Sequence, residues 1–141
     1  MKIYFDSKFF QKKEFDEKTI SKYFRNAVKN FQIALKNKEA EVIFNFSYFA
    51  LIKTGISLIA FFGYRVRSKT GHHVKILEKL SKILDDEDIE IIGNKMRKKR
   101  NLDLYEAGMI ISSREARYYL NFVGEVVKKA EEYLKSQKSL F

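Results

Sequence analysis

Residues Val42 to Tyr64 read VIFNFSYFALIKTGISLIAFFGY, the longest apolar-rich stretch of the chain. It is long enough to cross a bilayer, so its reading decides between a membrane protein and a soluble helical one. Lys53 sits near its centre, and Asn45, Ser47 and Thr54 dilute it. A lysine at mid-bilayer costs about 3 kcal/mol on insertion scales, which favours a buried core helix. Apolar side chains lie nearly all round it: Val42, Phe46, Phe49 and Ala50 on one side, Ile43, Leu51, Leu58 and Phe62 elsewhere. A helix from about Glu39 to Val66 with that pattern belongs at the centre of a bundle or beneath a second subunit.

Outward from this helix the chain is predicted to be nearly all-α, with four more helical patterns and no linker, repeat or low-complexity tract. Residues 1–15 form an irregular or short extended lead-in, 16–136 a single helical domain, and 137–141 a patternless tail expected to fray. Asp16 is the expected N-cap of helix one, where Ile20, Phe24, Phe31 and Leu35 recur at helical spacing up to Asn37. Thr70 is the expected cap of helix three, with Val74, Leu77, Leu80 and Leu84 inward. Asp85, Asp86, Glu87 and Asp88 open helix four, where negative charge suits the positive end of the helix dipole, and Gly108 is the expected stop. Ser112 and Glu115 have capping-box spacing at the start of helix five. Ala116, Leu120, Val123, Val127, Ala130 and Leu134 then alternate steps of four and three, a seam suited to antiparallel packing.

The chain has 141 residues, enough for one substantial core, and carries no Cys, Pro or Trp. Disulfide and zinc-finger chemistry are thereby excluded, and a reducing compartment such as the cytoplasm is expected. The opening Met1-Lys2 is followed by Ile3, Tyr4, Phe5 and Asp6, an apolar run too short for a signal peptide. A formal charge of +10 calls for an anionic partner. Nucleic acid or a nucleotide fits better than a membrane surface, because no helix combines a clean apolar face with a basic opposite face.

That charge is concentrated from Lys95 to Tyr105, read KMRKKRNLDLY. Ile89, Ile92 and Met96 form one stripe of helix four, and Arg100, Asp103 and Ala107 continue it within roughly 40° of Met96. A core-facing line therefore turns ionic partway along. Burying a lone guanidinium is costly, so Arg100 either pairs with Asp103 or lines a cleft that an anion enters. Lys95, Lys98 and Lys99 fit an ordinary solvated face, whereas Asn101 shares a face with Tyr105 four residues on.

Other patterns carry less. Serine-triad, phosphate-loop and dinucleotide-binding motifs are absent. Gly71-His72-His73 is better read as a helix start, with a ring packed against helix two, than as a metal site, since no further His or Cys exists. Arg65, Arg67 and Lys69 extend a basic surface toward Arg100 if helices two and four end near each other. Tyr4, Phe5, Phe9 and Phe10 suit core or interface packing better than base stacking.

Taken in order, Asn45-Phe-Ser-Tyr-Phe-Ala50, the Gly71-His72-His73 opening and Arg97-Lys-Lys-Arg-Asn-Leu-Asp-Leu-Tyr105 resemble the HEPN family of small helical proteins, over residues 18–135. The resemblance implies an antiparallel four-helix bundle with an additional short helix, and a homodimer with a cleft between its copies. Many members are metal-independent endoribonucleases, often toxins of a toxin–antitoxin pair with a small nucleotidyltransferase. Others bind nucleotides, RNA or partner proteins. Active members carry an Arg, a polar residue beside it and a His a few positions on. Arg100 and Asn101 match the first two, while Tyr105 stands at the His position. Tyrosine titrates near 10, which makes it a proton donor but a poor base at neutral pH. The resemblance therefore implies a basic cleft for RNA or a nucleotide, lined by Arg97, Lys98, Arg100, Asn101, Asp103, Arg65 and Arg67. Its alternative is an endoribonuclease with Arg100, Asn101 and Tyr105 as catalytic residues. No metal and no cofactor is expected in either case. A plainer alternative is a structural subunit whose Arg100 is neutralised by Asp103.

Overall fold

The computed structural model describes residues 2–105 and 111–138, with the backbone alone at 103–105 and 138. The expectations for Ala107 and Gly108, and for the tail beyond Lys138, lie outside the described residues. Helix α1 spans Glu17–Lys36 and is capped as its sequence predicts: Asp16 Oδ1 accepts from the Thr19 backbone N–H at 2.8 Å. Helix α2 spans Ala40–Phe61 and stops short of the predicted Val66. Gly63, at φ +84°, turns the chain, and Tyr64–Val66 becomes strand β2. Its partner is β1, Phe10–Lys12, paired antiparallel with Gln11 opposite Arg65. The all-α expectation is thus amended by a two-stranded sheet that ties the lead-in to the body.

Helix α3 spans His72–Leu84, and its N-cap is Gly71 rather than Thr70. The left-handed φ of +86° at Gly71 is a conformation that a side chain disfavours and glycine accepts. Helix α4 spans Glu87–Tyr105 with Glu87, Asp88 and Glu90 in its first turn. Helix α5 spans Ser113–Lys138. Its cap is the predicted one, the Glu115 N–H donating to Ser112 Oγ at 3.0 Å. The helix continues two residues past the predicted end of the domain at Ser136.

Helix α2 is central and packs on α1, α3 and α5, while α4 packs chiefly on α3. All six seam residues of α5 are buried. By length and composition α2 passes for a membrane span, yet 67% of that window is buried inside the molecule, as in a core helix. Two of its buried hydroxyls are satisfied within the helix: Thr54 donates to the Ala50 carbonyl and Ser57 to the Thr54 carbonyl, both at 2.7 Å, whereas buried Ser47 Oγ has no hydrogen-bond partner among the described residues. Gly55 lets α3 approach closely, since a Cβ there would collide with the Ile76 side chain. That close approach brings the first turn of α3 to the middle of α2.

Candidate functional site

The α4 stripe behaves as its spacing predicts. Ile89 and Met96 are fully buried, Ile92 is half-buried, and Arg100 continues the line in a half-buried position. The Arg100 guanidinium carbon lies 5.7 Å from the centroid of the Tyr48 ring and 5.1 Å from that of Phe49. A cation over two ring faces gains about 0.5–2 kcal/mol, and its charge is not neutralised by doing so. No carboxylate among the described residues pairs with Arg100. The Asp103 side chain lies outside them. One turn earlier Arg97 is also half-buried, its Nε donating to Asn94 Oδ1 at 3.0 Å.

Tyr48 links Arg100 to α3. Its ring is completely buried, and its hydroxyl lies 2.8 Å from His73 Nδ1. Burial pushes the phenol up to about 12, against the pull of Arg100 and Arg97, so it stays protonated. Burial also lowers His73 to about 4, helped by His72, Arg100 and Arg97. At neutral pH the pair is therefore a phenol and a neutral imidazole. The arrangement that satisfies the buried hydroxyl has Tyr48 O–H donating to Nδ1, which leaves the ring proton of His73 on Nε2. As a neutral ring His72 is the complementary tautomer: its Nδ1–H donates to the Lys69 carbonyl at 2.8 Å, which leaves Nε2 as an acceptor. The two rings meet edge to face at 4.4 Å.

The remaining sequence candidates divide. Lys98 and Asn101 are exposed on α4, and Lys99 pairs with Glu115 at 3.1 Å. The Tyr105 side chain lies outside the described residues. Because α4 runs on through Tyr105, a regular helix places its Cα roughly 140° round the axis from Arg100. Arg65 is exposed, with a long 3.5 Å contact to Gln11 Oε1. It lines a cavity together with His72 and His73. Arg67 and Lys69 are instead turned onto the lead-in, donating to the Ser7 and Lys8 carbonyls at 3.0 and 3.3 Å. Of that basic trio only Arg65 reaches toward the His pair. No group of side chains suited to a metal ion occurs among the described residues.

No family model, curated protein or solved structure matches the chain.

The site is therefore read from its own chemistry. Sequence reasoning found Arg100 and Arg97, and it placed a histidine ring against the second helix, but it did not join the two. The Tyr48–His73 hydrogen bond spans 25 positions. The available signal was the pairing of a hydroxyl-bearing ring on a largely apolar helix with two histidines at a helix start.

Proposed function

We propose that this chain is a HEPN-like nucleotide- or RNA-binding helical protein whose anion site is built on Arg100. One observation carries the reading: a half-buried guanidinium lies on the rings of Tyr48 and Phe49, with no carboxylate partner among the described residues. The rings hold it in place, and the planar fork of a guanidinium matches two oxygens of a phosphate. Arg97 adds charge one turn away. The +10 overall charge draws polyanions toward the surface.

The same reading takes the helices as an antiparallel four-helix bundle with an additional short helix, working in the cytoplasm as a homodimer. The outward stripe Ile91, Lys95, Lys98 and Leu102 of α4 supports association, since Ile91 and Leu102 are 54% and 60% exposed. A nucleotidyltransferase is the proposed protein partner, by resemblance alone. The test is fluorescence anisotropy with a short single-stranded RNA. Arg100→Ala is expected to weaken binding about tenfold or more, the cost of a lost charge-assisted contact, while the fold is retained. Equal affinity in both proteins rejects the reading.

A second reading, metal-independent RNA cleavage, is favoured by His73, which brings an imidazole near Arg100 where α4 itself offers Tyr105. In that reaction the 2′-oxygen attacks the adjacent phosphorus and the bond to the 5′-oxygen breaks, leaving a 2′,3′-cyclic phosphate and a 5′-hydroxyl. One proton leaves the 2′-hydroxyl and one reaches the departing oxygen. An imidazole lowered to about 4 is a weak base and has no second proton to give at pH 7, which places binding first. Cleavage in chelator, abolished by Arg100→Ala and by His73→Ala, would establish the second reading. Absence of cleavage, or equal rates in all three proteins, removes it.

A further inference from the structure

We propose that the cavity bounded by α1, α2, β2 and the start of α3 is a nucleobase pocket, which takes the base of a nucleotide while Arg65 meets its phosphate. This deepens the binding reading and rests on it for the ligand class, but it uses different side chains apart from His73. The cavity measures about 270 Å³. That lies just under the range of roughly 300–1,000 Å³ usual for small-ligand sites, so it suits one base rather than an oligonucleotide.

Its floor is apolar, made by Ile56, Ile59 and Ala60 of α2 and Ile76 of α3. Phe15, Tyr23 and Tyr64 supply aromatic walls on which a planar base stacks. As neutral rings the two histidines that line it offer unlike nitrogens, an acceptor on His72 and an N–H on His73. A base edge that carries a donor beside an acceptor, as adenine and uracil both do, is complementary to such a pair. Arg65, Val66 and Ser68 complete the lining, and no acidic residue belongs to it among the described residues. Because α3 begins here without a side-chain cap, the positive end of its dipole adds to the same field.

A larger cavity makes the contrast. At 510 Å³ it lies between α1, the end of α2 and the end of α5, and its lining among the described residues holds Glu17 and Glu131 against one cation, Lys135. Those carboxylates repel a phosphate. Size favours the larger cavity for a ligand, but charge and the paired ring nitrogens favour the smaller.

The experiment is calorimetry, with NMR of the aromatic ring protons, on the full chain with adenosine 5′-monophosphate, uridine 5′-monophosphate and ribose 5-phosphate. At least one nucleotide is expected to bind about tenfold or more tightly than ribose 5-phosphate, shifting the Tyr23, Tyr64 and His72 ring signals. Arg65→Ala should weaken it about tenfold. Ser68→Trp, at an exposed position on the rim, should abolish it with an unchanged circular dichroism spectrum. Nucleotides that bind no better than ribose 5-phosphate, or that bind Ser68→Trp normally, overturn the pocket. Arg100→Ala separates the two claims. Loss of short-RNA binding in that variant with mononucleotide affinity intact supports both. Loss of RNA binding with no base preference anywhere leaves the Arg100 site and removes the pocket.

Discussion

At the residue scale the site turns on three side chains that hold one another. Tyr48 is buried and protonated, His73 is half-buried and neutral, and Arg100 lies over the ring of the first while opposing the charging of the second. Because the pKa of His73 is depressed on folding, the unfolded chain binds a proton more readily below the ordinary value of 6.5. Stability is therefore full above about 6.5 and falls as the pH drops through the folded value of about 4. Solvent screening of a half-buried ring limits the loss to roughly 1–2 kcal/mol. Denaturant unfolding at a series of pH values should show this slope in the parent and a shallower one in His73→Gln. A phosphate on Arg100 adds negative charge beside the imidazole, so NMR titration of His73 should give a higher pKa with bound RNA than without it. Tyr48→Phe keeps the ring under Arg100 and removes the hydroxyl. It should cost about 1 kcal/mol in stability, raise the pKa of His73 and change RNA affinity little.

At the element scale the site exists because α3 and α4 are each set against α2 at a particular height. Gly55 controls the first contact. Gly55→Ala drives a methyl into Ile76, and the expected cost is about 1–3 kcal/mol with α3 displaced. Thermal unfolding should register the loss, and the His73 ring signal should lose its Tyr48 contact. Helix ends were legible in the sequence where the cap is local. Asp16 serves Thr19 and Ser112 serves Glu115, each within three residues. The end of α2 was not legible, because Tyr64 and Val66 continue an apolar run and the strand they form is decided by Phe10 and Lys12, more than fifty residues away. Thr70 failed as a cap for a related reason. The cap position is set by the left-handed turn at Gly71, which the preference for hydroxyl side chains at caps does not foresee.

At the scale of the whole molecule, an excess of ten positive charges predicts binding that weakens steeply with salt. Log affinity should fall linearly with log salt for single-stranded RNA, at about 0.7 per phosphate neutralised. A flat response points to a protein partner. Ile91 and Leu102 on the outer face of α4 predict self-association, with Leu102→Lys shifting sedimentation toward the monomer. Arg100 was legible because a core stripe that ends in a guanidinium is a local contradiction. The cavity by Arg65 was not, because its walls come from the lead-in, α1, α2, β2 and α3 together.

The proposed function rests on contact between the Arg100 guanidinium and an incoming phosphate. Its most direct test is the Nε–H NMR resonance of Arg100, assigned by its loss in Arg100→Lys and followed during titration with a dinucleotide. A saturating shift of that signal is expected, with the aromatic signals of Tyr48 and Phe49 moving at the same midpoint. An Arg100 signal that stays still while the dinucleotide binds elsewhere would contradict it.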